Sequence, residues 1–231
     1  MTAVGDPDRY PQRRFTPPPD ATESVLVRHG ASQAAVPGEP FELVEGHADP
    51  ALSPEGEQQG RLVCERLAES PPDVLFVTPL RRTSQTAAGL IAQGLEPVVV
   101  PKLREVRLGE WEGGELRIRA ANGDPLFARM LAEERWDVVP GAEPMDEFAA
   151  RVRAGLQTVV ERTGPGRVAA VFVHGGVIGE LCRQATGSRP FAFVHVDNGS
   201  ITRLVAFAGG RLLLRSFNDT THLGEVPAIP A

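Results

Sequence analysis

The chain has 231 residues, a formal net charge of −6 and two cysteines. That length supports one domain with a core that needs neither disulfides nor zinc. The acid excess argues against a general nucleic-acid or anionic-membrane binder, and no apolar run is long enough to span a bilayer. It leaves open a small anionic ligand held by local arginines.

Residues 1–22 carry Pro7, Pro11 and Pro17-Pro18-Pro19 and read as a disordered or loosely docked arm without the apolar segment of a secretory signal. Residues 23–231 read as a single domain. Val25-Leu26-Val27 predicts a first strand over 24–28, and it ends in Arg28-His29-Gly30. Residues 31–52 read as a long surface loop. Ser53-Pro54 is an N-cap followed by a first-turn proline, opening a helix that runs to about Glu69. Val74–Val77 is a second strand, then a helix over about 81–93, then a strand at Val98–Val100. Residues 102–114 are polar and Gly-rich. Residues 115–140 read as an excursion with helical pieces, and Met145–Glu161 as a long amphipathic helix.

Val168–Val173 is a further apolar strand ending in His174-Gly175-Gly176, followed by a helix over about 177–185. Ser200–Phe207 and Arg211–Phe217 flank Gly209-Gly210 and read as a β-hairpin. Strands alternating with helices imply an α/β three-layer sandwich: a mostly parallel central sheet, helices on both faces and a C-terminal β-hairpin.

Two of the five histidines, His29 and His174, thus follow apolar strands directly and precede glycine. The carboxyl edge of a parallel sheet is where open α/β folds bind ligands. A histidine there can act as nucleophile, and Arg28 beside it can fork onto phosphate. Thr78 through Ala87 adds Arg81 and Arg82 at a helix start, a place that disfavours cations unless an anion is bound. Glu105 and the Gly109–Gly113 stretch follow the third strand. Asn198-Gly199-Ser200 forms a turn that could close the site from the C-terminal side. His47 and His195 read as surface or packing residues, His222 as lining the site's edge. Trp111 and Trp136 suit either a substrate mouth or core packing.

These motifs resemble the histidine phosphatase superfamily, which includes the cofactor-dependent phosphoglycerate mutases. The matching residues are Arg28-His29-Gly30 with Ser32, Thr78 to Ala87, Glu105 and His174-Gly175-Gly176. Asp49, Leu52, Gly56, Gln59, Phe217-Asn218-Asp219 and His222 support the match. The resemblance implies that His29 is the nucleophile and forms a phosphohistidine. It implies that Arg28, Arg82 and His174 clamp the phosphoryl group, that Ser32 touches it, and that Glu105 is the general acid. Arg82 rather than Arg81 falls on the family's pocket arginine. Many members carry an Asn shortly after the first motif; the stretch from Ala31 to Ala35 lacks it, and Gln33 is the only amide there.

The expectation is a phosphomonoester hydrolase of the phosphatase branch, acting on a small phosphorylated metabolite with no metal and no cofactor. The alternatives are a phosphoglycerate mutase, which needs a closed, substrate-gripping lid that 115–140 could form, although Leu126, Phe127, Met130, Leu131 and Trp136 there suggest an apolar mouth instead, or a pseudoenzyme that only binds phospho-ligands. No nucleic-acid or membrane partner is expected, the location is expected to be cytoplasmic, and the oligomeric state stays open, a dimer included.

Overall fold

The computed structural model describes Tyr10 and residues 12–224; the rest of the N-terminal arm and the end of the tail lie outside the described residues. Residues 12–18 carry no secondary structure, and the chain enters the sheet at β1 (Thr22–Arg28). Then follow a small hairpin of β2 (Leu43–Val44) and β3 (His47–Ala48), helix α1 (Pro54–Ala68), β4 (Val74–Val77), α2 (Arg81–Thr86), α3 (Ala88–Ala92) and β5 (Pro97–Val99). Helices α4 (Glu115–Ala121) and α5 (Pro125–Glu133) form the excursion. Helix α6 (Met145–Thr163), β6 (Val168–Val173), α7 (Gly175–Thr186), β7 (Ile201–Ala206) and β8 (Leu212–Asp219) complete the order.

The main sheet has the order β5-β4-β6-β1-β7-β8. Its first four strands are parallel, and the β7–β8 hairpin closes one edge antiparallel. Alternation along the strands builds two cores. Leu26, Phe76, Val171 and Val173 face α6 and α7, where they meet Phe148, Val152, Ile178 and Leu181. Val25, Val27, Leu75, Val77 and Phe172 face α1 and α3, where they meet Val63, Leu67 and Leu90. These are the three expected layers. Trp111, Met130, Val139 and Phe191 form a third, smaller core under the excursion.

Several local expectations are refined. The segment 81–93 is two short helices, broken at Ala87, where ψ is 0°. Gly175 and Gly176 belong to the first turn of α7 rather than preceding it. Residues 31–52 are more than a surface loop: they contain the β2–β3 hairpin, and His47, Asp49 and Leu52 are buried. Asp49 explains the inward path. Its carboxylate accepts from the Arg81 backbone N–H and from Arg81 Nε, each at 2.8 Å, and so fastens the loop to the start of α2. Ser53 caps α1, its Oγ accepting from Gly56 N at 3.2 Å.

Parallel pairing sets the functional end of the sheet. Arg28 pairs with Val173, so the residues after them, His29 and His174, leave neighbouring strands at the same level. Thr78 leaves β4 on the other side of β6, and α2 begins three residues later.

Candidate active site

A cavity of about 160 Å³ opens at this carboxyl edge, with Arg28, His29, Arg82 and Glu105 among its walls. The two histidine rings sit 5.2 Å apart, edge to face at 62°. Both are buried, His29 at 5% exposure and His174 at 0%.

The hydrogen bonds fix the ring nitrogens. His29 Nδ1 lies 2.8 Å from the Gly30 carbonyl, which can only accept, so Nδ1 carries the proton. That leaves a lone pair on Nε2, which accepts from Arg82 Nε at 3.1 Å. Arg82 Nη2 is 3.2 Å from His174 Nδ1; a guanidinium only donates, so Nδ1 accepts and His174 Nε2 donates to Thr78 Oγ1 at 2.9 Å. Arg82 is 7% exposed and also donates from Nη1 to the Ala48 carbonyl at 2.9 Å.

Burial holds the His29 ring well below the ordinary imidazole range, and the charges of Arg82 and Arg28 push it further down. His174 is lowered for the same reasons, burial first and then Arg82. Burial pushes the Arg82 guanidinium down to about 10, which leaves it charged at neutral pH. At neutral pH the free site therefore holds two neutral imidazoles beside fixed cations.

The backbone around His29 is pinned by Thr86 of the Thr78–Ala87 segment, by Gln59, a supporting match, and by Asn198 of the turn before β7. Gly30 N donates to Thr86 Oγ1 at 3.0 Å, Ala31 N to Gln59 Oε1 at 2.8 Å, and Asn198 Nδ2 to the His29 carbonyl at 2.8 Å. A side chain at Gly30 would put its Cβ 2.3 Å from the Gly56 carbonyl oxygen, so here glycine admits the end of α1 rather than a ligand. Arg28 Nη1 donates to the Val196 carbonyl, and Arg28 Nε is buried without a partner.

Glu105 also lines the cavity. Its Oε2 accepts from Gly176 N at 3.1 Å and its Oε1 from Val106 N at 3.0 Å. The turn that carries it is gripped by Arg151 of α6, which donates to the carbonyls of Lys102 at 2.9 Å, Arg104 at 2.8 Å and Glu105 at 3.1 Å. The same guanidinium pairs with Glu143 at 2.7 Å.

Among the described residues no group of three or more His, Cys, Asp or Glu could hold a metal ion. No helix among them is long and apolar enough to cross a membrane.

Comparison with known proteins gives the family. The model of the histidine phosphatase superfamily (branch 1) matches residues 24–220. This chain belongs to that superfamily. It is 30% identical over 213 residues to phosphoglycerate mutase-like protein 4 of Arabidopsis thaliana, covering 89% of each chain. It is 24% identical over 213 residues to phosphoserine phosphatase 1 of Hydrogenobacter thermophilus, covering 87% of this chain and 94% of that one. Among solved structures, a mycobacterial glucosyl-3-phosphoglycerate phosphatase superposes with a TM-score of 0.70 at 28% identity, over 87% of this chain and all of its own.

Within this histidine phosphatase fold, some candidates sit elsewhere than expected. Ser32 does not line the cavity; its Oγ accepts from Arg117 Nη2 at 2.6 Å. Gln33 is exposed, and its carbonyl accepts from Arg117 Nη1 at 2.9 Å. His222 lies outside the cavity and bonds the Gly199 carbonyl at 3.0 Å. The apolar mouth is lined by Phe41, Leu108, Trp111 and Leu116, not by Leu126, Phe127, Met130, Leu131 or Trp136. Trp136 instead packs on Phe191, ring centres 4.6 Å apart.

Three more residues line the cavity: Arg117, which had no signal in the sequence, His47, which read as a surface or packing residue, and Glu112 of the Gly109–Gly113 stretch. Arg117 reaches in from α4, and nothing in its surroundings, Glu115-Leu116-Arg117-Ile118, sets it apart from a helix-surface arginine. His47 is buried on the cavity wall through the β2–β3 hairpin, with Nδ1 3.1 Å from the Glu45 carbonyl. Glu112 spends both carboxylate oxygens on backbone, accepting from Leu108 N and Ala48 N at 2.8 Å each.

Proposed function

We propose that this chain hydrolyses phosphomonoesters of small metabolites through a phosphohistidine on His29. The observation that carries the reading is the His29 tautomer: the Gly30 carbonyl takes the Nδ1 proton, so Nε2 is the unprotonated nitrogen and rests against Arg82 Nε.

In the first step Nε2 attacks phosphorus and the bond from phosphorus to the ester oxygen breaks. Glu105, in its acid form, gives its proton to that departing oxygen. In the second step Glu105, now a carboxylate, takes a proton from water; the water oxygen bonds to phosphorus, and the nitrogen–phosphorus bond breaks, returning its electrons to Nε2. Such a transition state spreads charge over three phosphoryl oxygens, so fixed donors aimed at them lower the barrier. Arg28 and Arg82 supply those donors; His174, fully buried and off the cavity wall, stands behind Arg82, its Nδ1 held by Arg82 and its Nε2 by Thr78. Two guanidiniums can stand where other phosphatases use metal ions. Cys64 and Cys182 are free, buried thiols, which suits the reducing cytoplasm.

Quenching turnover in denaturant tests the reading. Phosphate should be trapped on His29 in a bond that acid cleaves and base spares. His29→Ala should lose label and turnover while keeping the fold. A folded His29→Ala protein that turns over normally would remove the nucleophile. Exhaustive chelation should leave the rate nearly unchanged; a strict need for magnesium or zinc would put the wrong chemistry on the site. Adding 3-phosphoglycerate with its bisphosphate primer separates hydrolysis from mutase exchange.

A further inference from the structure

Arg117 is a cation among the cavity walls whose bonds leave most of it unused. It lies on α4, none of whose residues is buried, and it crosses to the loop after His29 to bond Ser32 Oγ and the Gln33 carbonyl. A guanidinium has five N–H donors, so two bonds leave three. Among the described residues it has no carboxylate partner, whereas the other α4 arginine, Arg119, bonds both Glu115 and Asp124. Arg117 is exposed on the cavity side, so a ligand can reach it. Its positive charge is close enough to act on Arg28, His29 and Arg82 alike.

The loop explains how it gets there. Ala31 to Ala35 places no side chain on the cavity wall. Ala35 lies under the start of α4: a Cβ on Gly114 would stand 2.9 Å from the Ala35 Cβ and 3.2 Å from the Phe41 ring. Gly114 has φ +108°, a conformation that few other residues adopt. Ala35 and Gly114, both without a long side chain, lie close together where α4 begins, so the start of α4 rests against the loop after His29.

We infer that Arg117 is a third phosphoryl-binding guanidinium, delivered by the excursion to the side of the pocket where the loop after His29 offers no donor, with Ser32 as its positioning residue. The inference rests on the phosphomonoesterase reading, because it assigns the reacting group as the ligand. It differs from a contact to the rest of the substrate in one respect: it is indifferent to what the phosphate is attached to.

The test uses the full chain, with orthovanadate and inorganic phosphate as the probes. Arg117→Ala should weaken both oxyanions and lower kcat/KM on an aryl phosphate, glycerol 3-phosphate and 3-phosphoglycerate by the same factor. That factor should be about 10- to 100-fold, the weight of one or two charge-assisted hydrogen bonds. Arg117→Lys should fall between the two, since one ammonium cannot make the fork. Ser32→Ala should show a smaller loss of oxyanion affinity, and none when added to Arg117→Ala. Circular dichroism should stay unchanged in all of them, as α4 buries no residue. Unaltered oxyanion affinity in Arg117→Ala would overturn the inference. So would a loss confined to 3-phosphoglycerate, which would put Arg117 on the substrate's second anion. Calorimetric titration with phosphate keeps this answer separate from the phosphatase reading, because it reads Arg117 even if no ester is turned over.

Discussion

His29 and His174 hang from adjacent parallel strands, whereas Glu105 and Arg117 stand on turns and a short helix whose places are set by side chains. In the first region the ladder itself does the positioning: Arg28 pairs with Val173, His29 N donates to the Val173 carbonyl at 3.0 Å, and no loop intervenes. In the second region Arg151 gathers three carbonyls to shape the Glu105 turn, and Ser32 and Gln33 receive Arg117. Groups on the strand ends sit in a packed core that tolerates little movement. Groups on the turns can shift when one supporting side chain is lost. The division suits the chemistry. The nucleophile and the phosphate clamp act on a group common to every phosphomonoester, while the acid must meet a leaving group that differs between substrates.

The largest effect on the loop side should come from Glu105 itself. Glu105→Gln keeps the size and removes the proton. With an alkyl phosphate, phosphorylation of His29 should slow by about two to four orders of magnitude. With an aryl phosphate whose phenolate leaves readily, the same step should slow far less. Burst kinetics isolates that step from hydrolysis of the phosphoenzyme. Equal losses on both leaving groups would make Glu105 a binding or structural residue and erase the proposed division.

Arg151→Ala should come next. It touches no substrate, yet it frees the turn that aims Glu105, and a displacement of about 1 Å at a reacting group can cost up to a hundredfold. The expected loss in kcat is about 10- to 100-fold on alkyl phosphates and much smaller on aryl ones, the same contrast as for Glu105→Gln. Glu143 would lose its partner as well. Its burial works to raise its carboxyl, but Arg151, the Arg107 backbone N–H and His47 together hold it below the usual range. A loss of about 1–3 kcal/mol in stability should therefore accompany the kinetic change. A destabilised protein with no contrast between leaving groups would mean that Arg151 supports only the fold.

Gly176→Ala is a gentler version. A Cβ there would stand 2.5 Å from Glu105 Oε1, against a flexible carboxylate that can swing aside. A loss of about tenfold in kcat on alkyl phosphates is expected, within the range that misplacement allows. Oxyanion affinity should be nearly unchanged. If oxyanion affinity falls as much as kcat, the two regions are not separable at α7.

The same contrast governs how much could be read from the residues. Strand ends were legible, because short apolar runs stopping at Arg28-His29-Gly30 and His174-Gly175-Gly176 mark both the strands and their functional edge. The helix start marked Arg81 and Arg82 together, because a cation there needs a reason, and only the family resemblance singled out Arg82. Arg117, His47 and Arg151 were not legible, since each depends on where a turn or a helix face comes to rest. Arg151 has the helical spacing of any surface arginine on α6, and only the fold turns it toward three carbonyls. The mouth was misplaced for the same reason: Met130 and Trp136 are apolar enough to line one, but Phe191 draws them into a core of their own. Ala87 broke a helix that periodicity runs through, where Thr86 turns its hydroxyl onto the Arg82 carbonyl at 2.7 Å while receiving Gly30 N.

The smallest effect should appear in the pH dependence of stability, and it belongs to the strand-edge region. His29 and His174 are buried neutral, with folded values below the ordinary 6.5. An unfolded chain therefore takes up their protons first as pH falls. Their contribution is fully present above 6.5 and is lost as pH drops through the lowered folded values. Each would have to charge against Arg82, and against the other ring. His47 shifts the same way, chiefly by burial, so it adds to the slope from the loop side. Chemical denaturation between about pH 7.5 and 5.5 should show wild-type stability falling toward acid. His174→Gln can keep bonds to Thr78 and Arg82 without titrating, so it should flatten that slope even if it lowers stability at neutral pH. His47→Gln should flatten it less, because His47 is the less deeply enclosed of the two. A wild-type profile that is level across this window would mean that the rings are not held neutral by their surroundings, and the tautomer that frees His29 Nε2 for attack would lose its support. A slope that His47→Gln removes and His174→Gln does not would move the titrating group to the hairpin and leave the strand-edge pair indifferent to acid.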